Sequence, residues 1–278
     1  MFTRDELIDY INNCVTVGKV VTKHDILVGD IIMEPSDNTF KSLKSTIDAL
    51  EFSLEREASI RNSLIGAVEY SGFYFKIDSQ ENIILVYSKS TYRDIDLGNC
   101  VDIIGSFAFS ANLGIKSIKG ISVKKLDYGA FAYSTVYSVD FPNLEEIGAV
   151  AFVGCSLGSL IFDKVNIIFD AAFSGTSVKR LCFKSPILIN APVFNNSNID
   201  ELILPNNIAI CGLGIGPLAG SKRIGKIIYF NPTNDRIKLY LWMQQDDRKL
   251  IVASKNTRVL FQFLRDRKLH RHFNNKQK

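Results

Sequence analysis

The chain has 278 residues, 46% hydrophobic and 22% charged, a balance that excludes a disordered polymer and suffices for one large or two modest cores. Its five cysteines are odd in number, widely spaced and without a C-x-x-C pair, which argues against a disulfide framework or a zinc site and for reduced, mostly buried thiols. The formal charge of +4 is unevenly placed: residues 235–278 hold 12 Lys and Arg against 4 Asp, whereas residues 1–234 hold 21 basic against 25 acidic residues.

The N-terminus "MFTRDELIDY" has acids where a signal peptide would carry an apolar stretch, and no apolar run approaches the roughly 18 to 20 residues needed to cross a bilayer. The reading is a cytoplasmic protein with no membrane contact. Residues 1–70 read as mainly helical. Thr3 to Glu6 fits a capping box ahead of a short amphipathic helix. A second helix begins near Asp37 or Thr39, and its Leu43, Ile47, Leu50 and Leu54 recur at helical spacing. That stripe suits a cap packed on whatever follows, with a self-associating seam as the competing reading. Residues 71–99 contain "GFYFKIDSQENIILVYS", a β-hairpin with Asp78 to Asn82 in its turn, which bridges the helices to the next region.

From residue 100 to 231 the chain repeats itself about six times. The anchors are Phe109, Phe131, Phe152, Phe173, Phe194 and Leu218; five residues before each stands Ile104, Leu126, Ile147, Ile168, Ile189 or Leu213. Three residues after each stands Asn112, Ser134, Cys155, Thr176, Ser197 or Ser221. A strand-like run follows, as in Leu157, Leu160 and Phe162, then Val178, Leu181 and Phe183. A unit of this length cannot bury its own apolar residues, so each must stack on its neighbours. The small residue before the anchor (Ala108, Ala130, Ala151, Ala172) suits tightly turning coils, and Val193 and Pro217 depart from it, which predicts distortion in the later coils.

The pattern I-G-x-x-A-F-x-x-C-x-x-L-x-x-L-x-F resembles the leucine-rich repeats of the BspA-like type. That resemblance implies an α+β repeat solenoid with a parallel sheet face, flanked here by N-terminal helices and a C-terminal helical cap, and a role in binding other proteins. It fixes no ligand-binding residues by motif.

Residues 232–278 leave the period and read as a basic cap or tail. Within it Arg258, Arg265, Arg267, Lys268 and Arg271 would serve a nucleic-acid-binding arm if the segment does more than cover the last coil. Elsewhere the chemistry is thin. "CGLGIGPLAGSK" lacks P-loop spacing, because Ser221 separates Gly220 from Lys222, and three histidines supply neither a catalytic set nor a metal site. No cofactor is expected and the protein reads as non-enzymatic. The informative surface is the outward side of the strands, where Asp140, Ile161, Cys182, Ile203 and Ile228 recur, four of them apolar. The expectation is a scaffold that binds another protein through this stripe. Nucleic-acid association through the tail, and a homo-oligomeric assembly subunit of a larger particle such as a virion, are the alternatives.

Overall fold

A computed structural model of the chain describes residues 3–23, 25, 43–190, 192–205, 208–211 and 220–230. Two helices come first, α1 (Arg4–Thr16) and α2 (Leu43–Leu64), then an antiparallel meander of β1 (Val68–Tyr70), β2 (Phe73–Ile77) and β3 (Ile83–Ser88). From there every turn of the chain lays down two strands. One series comprises β5 (Ile103–Ile104), β7 (Lys125–Leu126), β9 (Glu146–Ile147), β11 (Ile167–Ile168), β13 (Ile187–Asn190) and β15 (Ile208–Cys211). The other comprises β4 (Asp94–Asp96), β6 (Ser117–Lys119), β8 (Ser138–Asp140), β10 (Ser156–Phe162), β12 (Ser177–Phe183), β14 (Asn198–Pro205) and β16 (Arg223–Phe230). The odd-numbered strands from β3 onward form one parallel ladder; the even-numbered ones form two, β4-β6-β8 and β10-β12-β14-β16. The solenoid therefore has strand ladders on two sides. The odd ladder lay hidden in the sequence because most of its strands are two residues long, too short to alternate.

What closes each coil is a turn built on the anchor. The amides of Phe109, Phe131 and Phe152 each donate, at 2.8 Å, to the carbonyl of the alanine preceding the next anchor, Ala130, Ala151 and Ala172. Phe173 donates to Val193 at 3.1 Å. The rings follow the backbone and stack, Phe109 on Phe131 at 5.2 Å and 4°, Phe131 on Phe152 at 5.5 Å and 5°. At the Val193 coil the Phe173–Phe194 pair opens to 5.7 Å and 30°, the distortion expected of a bulkier residue. Leu213, Pro217 and Leu218 lie outside the described residues. Ile104, Leu126, Ile147, Ile168 and Ile189 and the inward strand residues are all buried in the same core.

In the coils of Phe109, Phe131, Phe152 and Phe173 the turn passes through two left-handed residues, and in that of Phe194, where Pro192 keeps φ negative, through one. Two positions before the anchor stand Phe107 (φ 57°), Gly129 (61°), Val150 (51°) and Ala171 (54°); two after it stand Ala111 (60°), Tyr133 (58°), Gly154 (70°), Gly175 (65°) and Asn196 (56°). For a side-chain-bearing residue that geometry costs roughly 1–2 kcal/mol, most at the β-branched Val150. The inter-coil hydrogen bonds and ring stack hold these residues in place.

At the N-terminal end α1 has the expected capping box and buries Leu7, Ile11 and Cys14 in the solenoid core. Arg4 reaches Asp102 at 2.7 Å, whose other interaction is with the Ile83 amide, so helix, meander and first coil are tied at one carboxylate. The meander turns at Asp78, whose carboxylate accepts from the amides of Gln80 and Asn82. Over its described side chains, residues 52–64, helix α2 packs through a face other than the one Leu54 shares. Leu54 is 66% exposed, and the buried positions are instead Arg56, Ile60 and Leu64. Ile60 and Leu64 cluster with Tyr87 and Phe107, Phe52 meets Phe107 and Tyr133 edge-on at 5.5 and 5.4 Å, and Arg56 donates to the hydroxyl and carbonyl of Ser110. The helix thus lies along the flank of the first coils, and the face it buries includes an arginine that a search for apolar stripes passes over. The first coil's end is covered by α1 and the meander. The side chains of Leu43, Ile47 and Leu50 and the expected C-terminal cap lie outside the described residues.

Two substitutions separate the ring column from the strained turn. Phe152→Ala should cost about 3–5 kcal/mol in urea unfolding, through a cavity that the stacked neighbours cannot close. Val150→Gly, two residues away, should raise stability by about 1 kcal/mol by relieving the left-handed strain.

Candidate functional site

Parallel register turns the outward residues of the even strands into rows. On β10, β12 and β14 one row reads Ser159, Arg180, Glu201 and the next reads Ile161, Cys182, Ile203, with Ile228 of β16 paired to Ile203. Asp140 holds the matching place, exposed, at the end of β8. The apolar stripe expected here is only partly open. Ile161 is 53% exposed, but Cys182 and Ile203 are 5% and 7% exposed. Ion pairs stand on both sides of Cys182, Arg180 with Glu201 and, two residues along the strand, Lys184 with Asp163 at 2.6 Å. Burial pushes the Cys182 pKa up, against the smaller lowering effect of the Lys184 and Arg180 charges. The side chain of Ile228, and Arg258, Arg265, Arg267, Lys268 and Arg271 altogether, lie outside the described residues.

The structure adds a residue that sequence reasoning missed. Tyr137, 45% exposed, lies flat over Gly158 of the next coil, so close that a Cβ on that glycine would stand 2.7 Å from the ring. Lys179, one coil further, places its ammonium 5.8 Å from the same ring's centroid. Lys179 therefore turns toward Tyr137 while Arg180 takes Glu201, and Asp200 stands 4.0 Å from Arg223 of β16. A signal existed: the repeat puts a tyrosine in register with a glycine 21 residues later, and an aromatic ring facing a bare backbone tends to cover it. Tyr137 and Ile161 thus form an exposed apolar pair on adjacent coils, bordered by Ser138, Asp140, Ser159, Lys179 and Arg180.

The small polar residues after each anchor have a structural task. Cys155, Thr176 and Ser197 donate to the carbonyls of Phe131, Phe173 and Phe194 at 3.0, 2.6 and 2.7 Å. They are buried, and burial pushes the Cys155 thiol up to about 11. No three metal-ligating side chains cluster among the described residues, and none of the described helices is long and apolar enough to cross a membrane.

Residues 85–143 and 102–214 match the BspA type leucine rich repeat region, in six copies. The solenoid is therefore a run of BspA-type leucine-rich repeats spanning a little under half of the chain. No curated protein matches the sequence. Among solved structures, a leucine rich cell surface protein from Faecalibacterium prausnitzii A2-165 is similar at 17% identity and a TM-score of 0.37, over 53% of this chain and 40% of its own length. A likeness of that extent carries no functional argument.

The Cys155 thiol provides a check on the packing. Its folded pKa lies above the ordinary value of 9.0, so its contribution to stability is complete below pH 9 and is lost as the pH rises toward about 11. Thermal unfolding from pH 8 to 11 should show Cys155→Ala losing less stability over that interval than the wild-type chain, and iodoacetamide at pH 8 should leave Cys155 unmodified until the protein unfolds.

Proposed function

We propose that this chain is a non-catalytic recognition module that holds another protein against the outward face of β8 and β10, centred on Tyr137 and Ile161. The observation that carries the reading is the exposure of these two large side chains on adjacent coils, Tyr137 just ahead of β8 and Ile161 on β10. Exposed aromatic and aliphatic anchors inside a charged border are what the centre of a protein interface requires. The repeat class supports the same reading, since leucine-rich-repeat solenoids offer extended surfaces for binding other proteins. Lys179 and Arg180 on one side and Asp140 on the other would set the partner's orientation through charge.

The test is affinity capture from nuclease-treated lysate of the cells that make the protein, wild type beside the double variant Tyr137→Asp, Ile161→Asp. Wild-type protein should retain a stoichiometric partner, and the variant should lose it at least about tenfold while its melting temperature moves by no more than a few degrees, because both side chains are surface-exposed. Equal retention by the two would overturn the proposed face.

A further inference from the structure

The two strand series end differently at the N-terminal side. The odd ladder is continued past β3 by β2 and β1, whereas the even ladder stops at β4, the first strand of its sheet. This leaves a notch beside β4, on the inner side of the meander. Its floor is a cavity of about 320 Å³ lined by Leu7 of α1, Phe73 and Phe75 of β2, and Ile95, Leu97 and Val101. Tyr70 and Tyr92, 36% and 61% exposed, border it.

The edge of β4 offers backbone. Arg93 accepts from Lys116 and Ser117, and Leu97 donates to Lys119, so residues of odd number turn toward β6. By strand alternation the N–H and C=O groups of Asp94 and Asp96 point into the notch, and neither residue has a backbone partner on that side among the described residues. The Asp94 carboxylate accepts from Ser117 and that of Asp96 pairs with Lys119 at 2.9 Å, yet Asp94 is exposed and the Asp96 side chain is 47% exposed. Both retain room for a further cation.

We propose that this notch is a second docking site, distinct from the Tyr137–Ile161 face, which receives an extended segment of another protein as an added strand on β4. Strand addition satisfies the two free amides and carbonyls. The residue opposite Ile95 would point inward and fill the apolar cavity, and its two neighbours would point outward beside Asp94 and Asp96. The matching segment is therefore a large apolar residue flanked by Lys or Arg. A second copy fits poorly. Two β4 edges would set aspartates against aspartates, and the far end of a second solenoid, where β15 and β16 close the two ladders without the odd ladder running on alone, would meet the β1 and β2 strands that extend the odd ladder past β4.

A random ten-residue peptide library displayed on phage and selected on the full chain tests this. The proposal expects enrichment of a basic–apolar–basic pattern, and slowed amide exchange at Asp94 and Asp96 when a synthetic copy of the enriched peptide is bound. Asp94→Pro removes an N–H that points into the notch and no ladder bond, so it should weaken that peptide about tenfold or more, the loss expected for one hydrogen bond and a disturbed edge. The pair Asp94→Lys, Asp96→Lys, which leaves the backbone alone, should select acid-flanked peptides instead. Absence of any enriched pattern, or a peptide whose affinity is unchanged by both variants, overturns the proposal. Self-association of the wild-type chain that Asp94→Pro abolishes would overturn it in favour of a second copy.

Discussion

The hydrogen bond from each anchor phenylalanine to the residue ahead of the next anchor is the constraint on which the rest depends. For that amide to reach across, successive backbones come within 2.8 Å at the turn where the residue is alanine and 3.1 Å where it is Val193. The same approach brings the rings into a face-to-face column, where each contact adds roughly 0.5–1.5 kcal/mol beyond simple burial. It also forces the chain through left-handed residues, two in each coil from Phe109 to Phe173, only some of which are glycine. The hydroxyl or thiol three residues after the anchor then donates to an anchor carbonyl, so a buried polar side chain recurs without an unsatisfied donor.

Because each coil touches only its neighbours, a local change has local consequences. At the Val193 coil the ring contact is widest and most tilted; the pair before it, Phe152–Phe173, stays at 5.2 Å and tilts by 19°, and the two earlier pairs are nearly parallel. The ends are where the arithmetic of stacking fails, since a terminal coil has no neighbour to cover it. At the N-terminal end α1 and the meander cover most of the exposed core, with the buried Asp102 as the joint between them. They leave β4 open.

How much was legible in the sequence follows from the same logic. Anchor phenylalanines, small residues before them and apolar strand positions occur once per coil under one geometric demand, so each repetition reinforced the others and the solenoid could be read directly. Features that occur once had no such support. Helix α2 packs through Phe52, Arg56, Ile60 and Leu64, a face with a charge in its middle, while the more regular stripe points Leu54 at solvent. The outward row of the even strands was legible, but the exposure of its members was not: Ile161 is open to solvent whereas Cys182 and Ile203 are buried. Alternation reveals which way Ile161, Cys182 and Ile203 point; it does not reveal that Cys182 and Ile203 are buried or that Tyr137 reaches across a coil to Gly158.

Amide hydrogen exchange resolved to single residues at the anchors is the most direct measurement of whether the coils are held this way. The amides of Phe109, Phe131, Phe152 and Phe173 should be among the slowest in the chain and should exchange together, since each is both buried and hydrogen-bonded to the next coil. Anchor amides that exchange as quickly as that of the exposed loop residue Leu113 would contradict it, and with it the stacked-turn account of the fold.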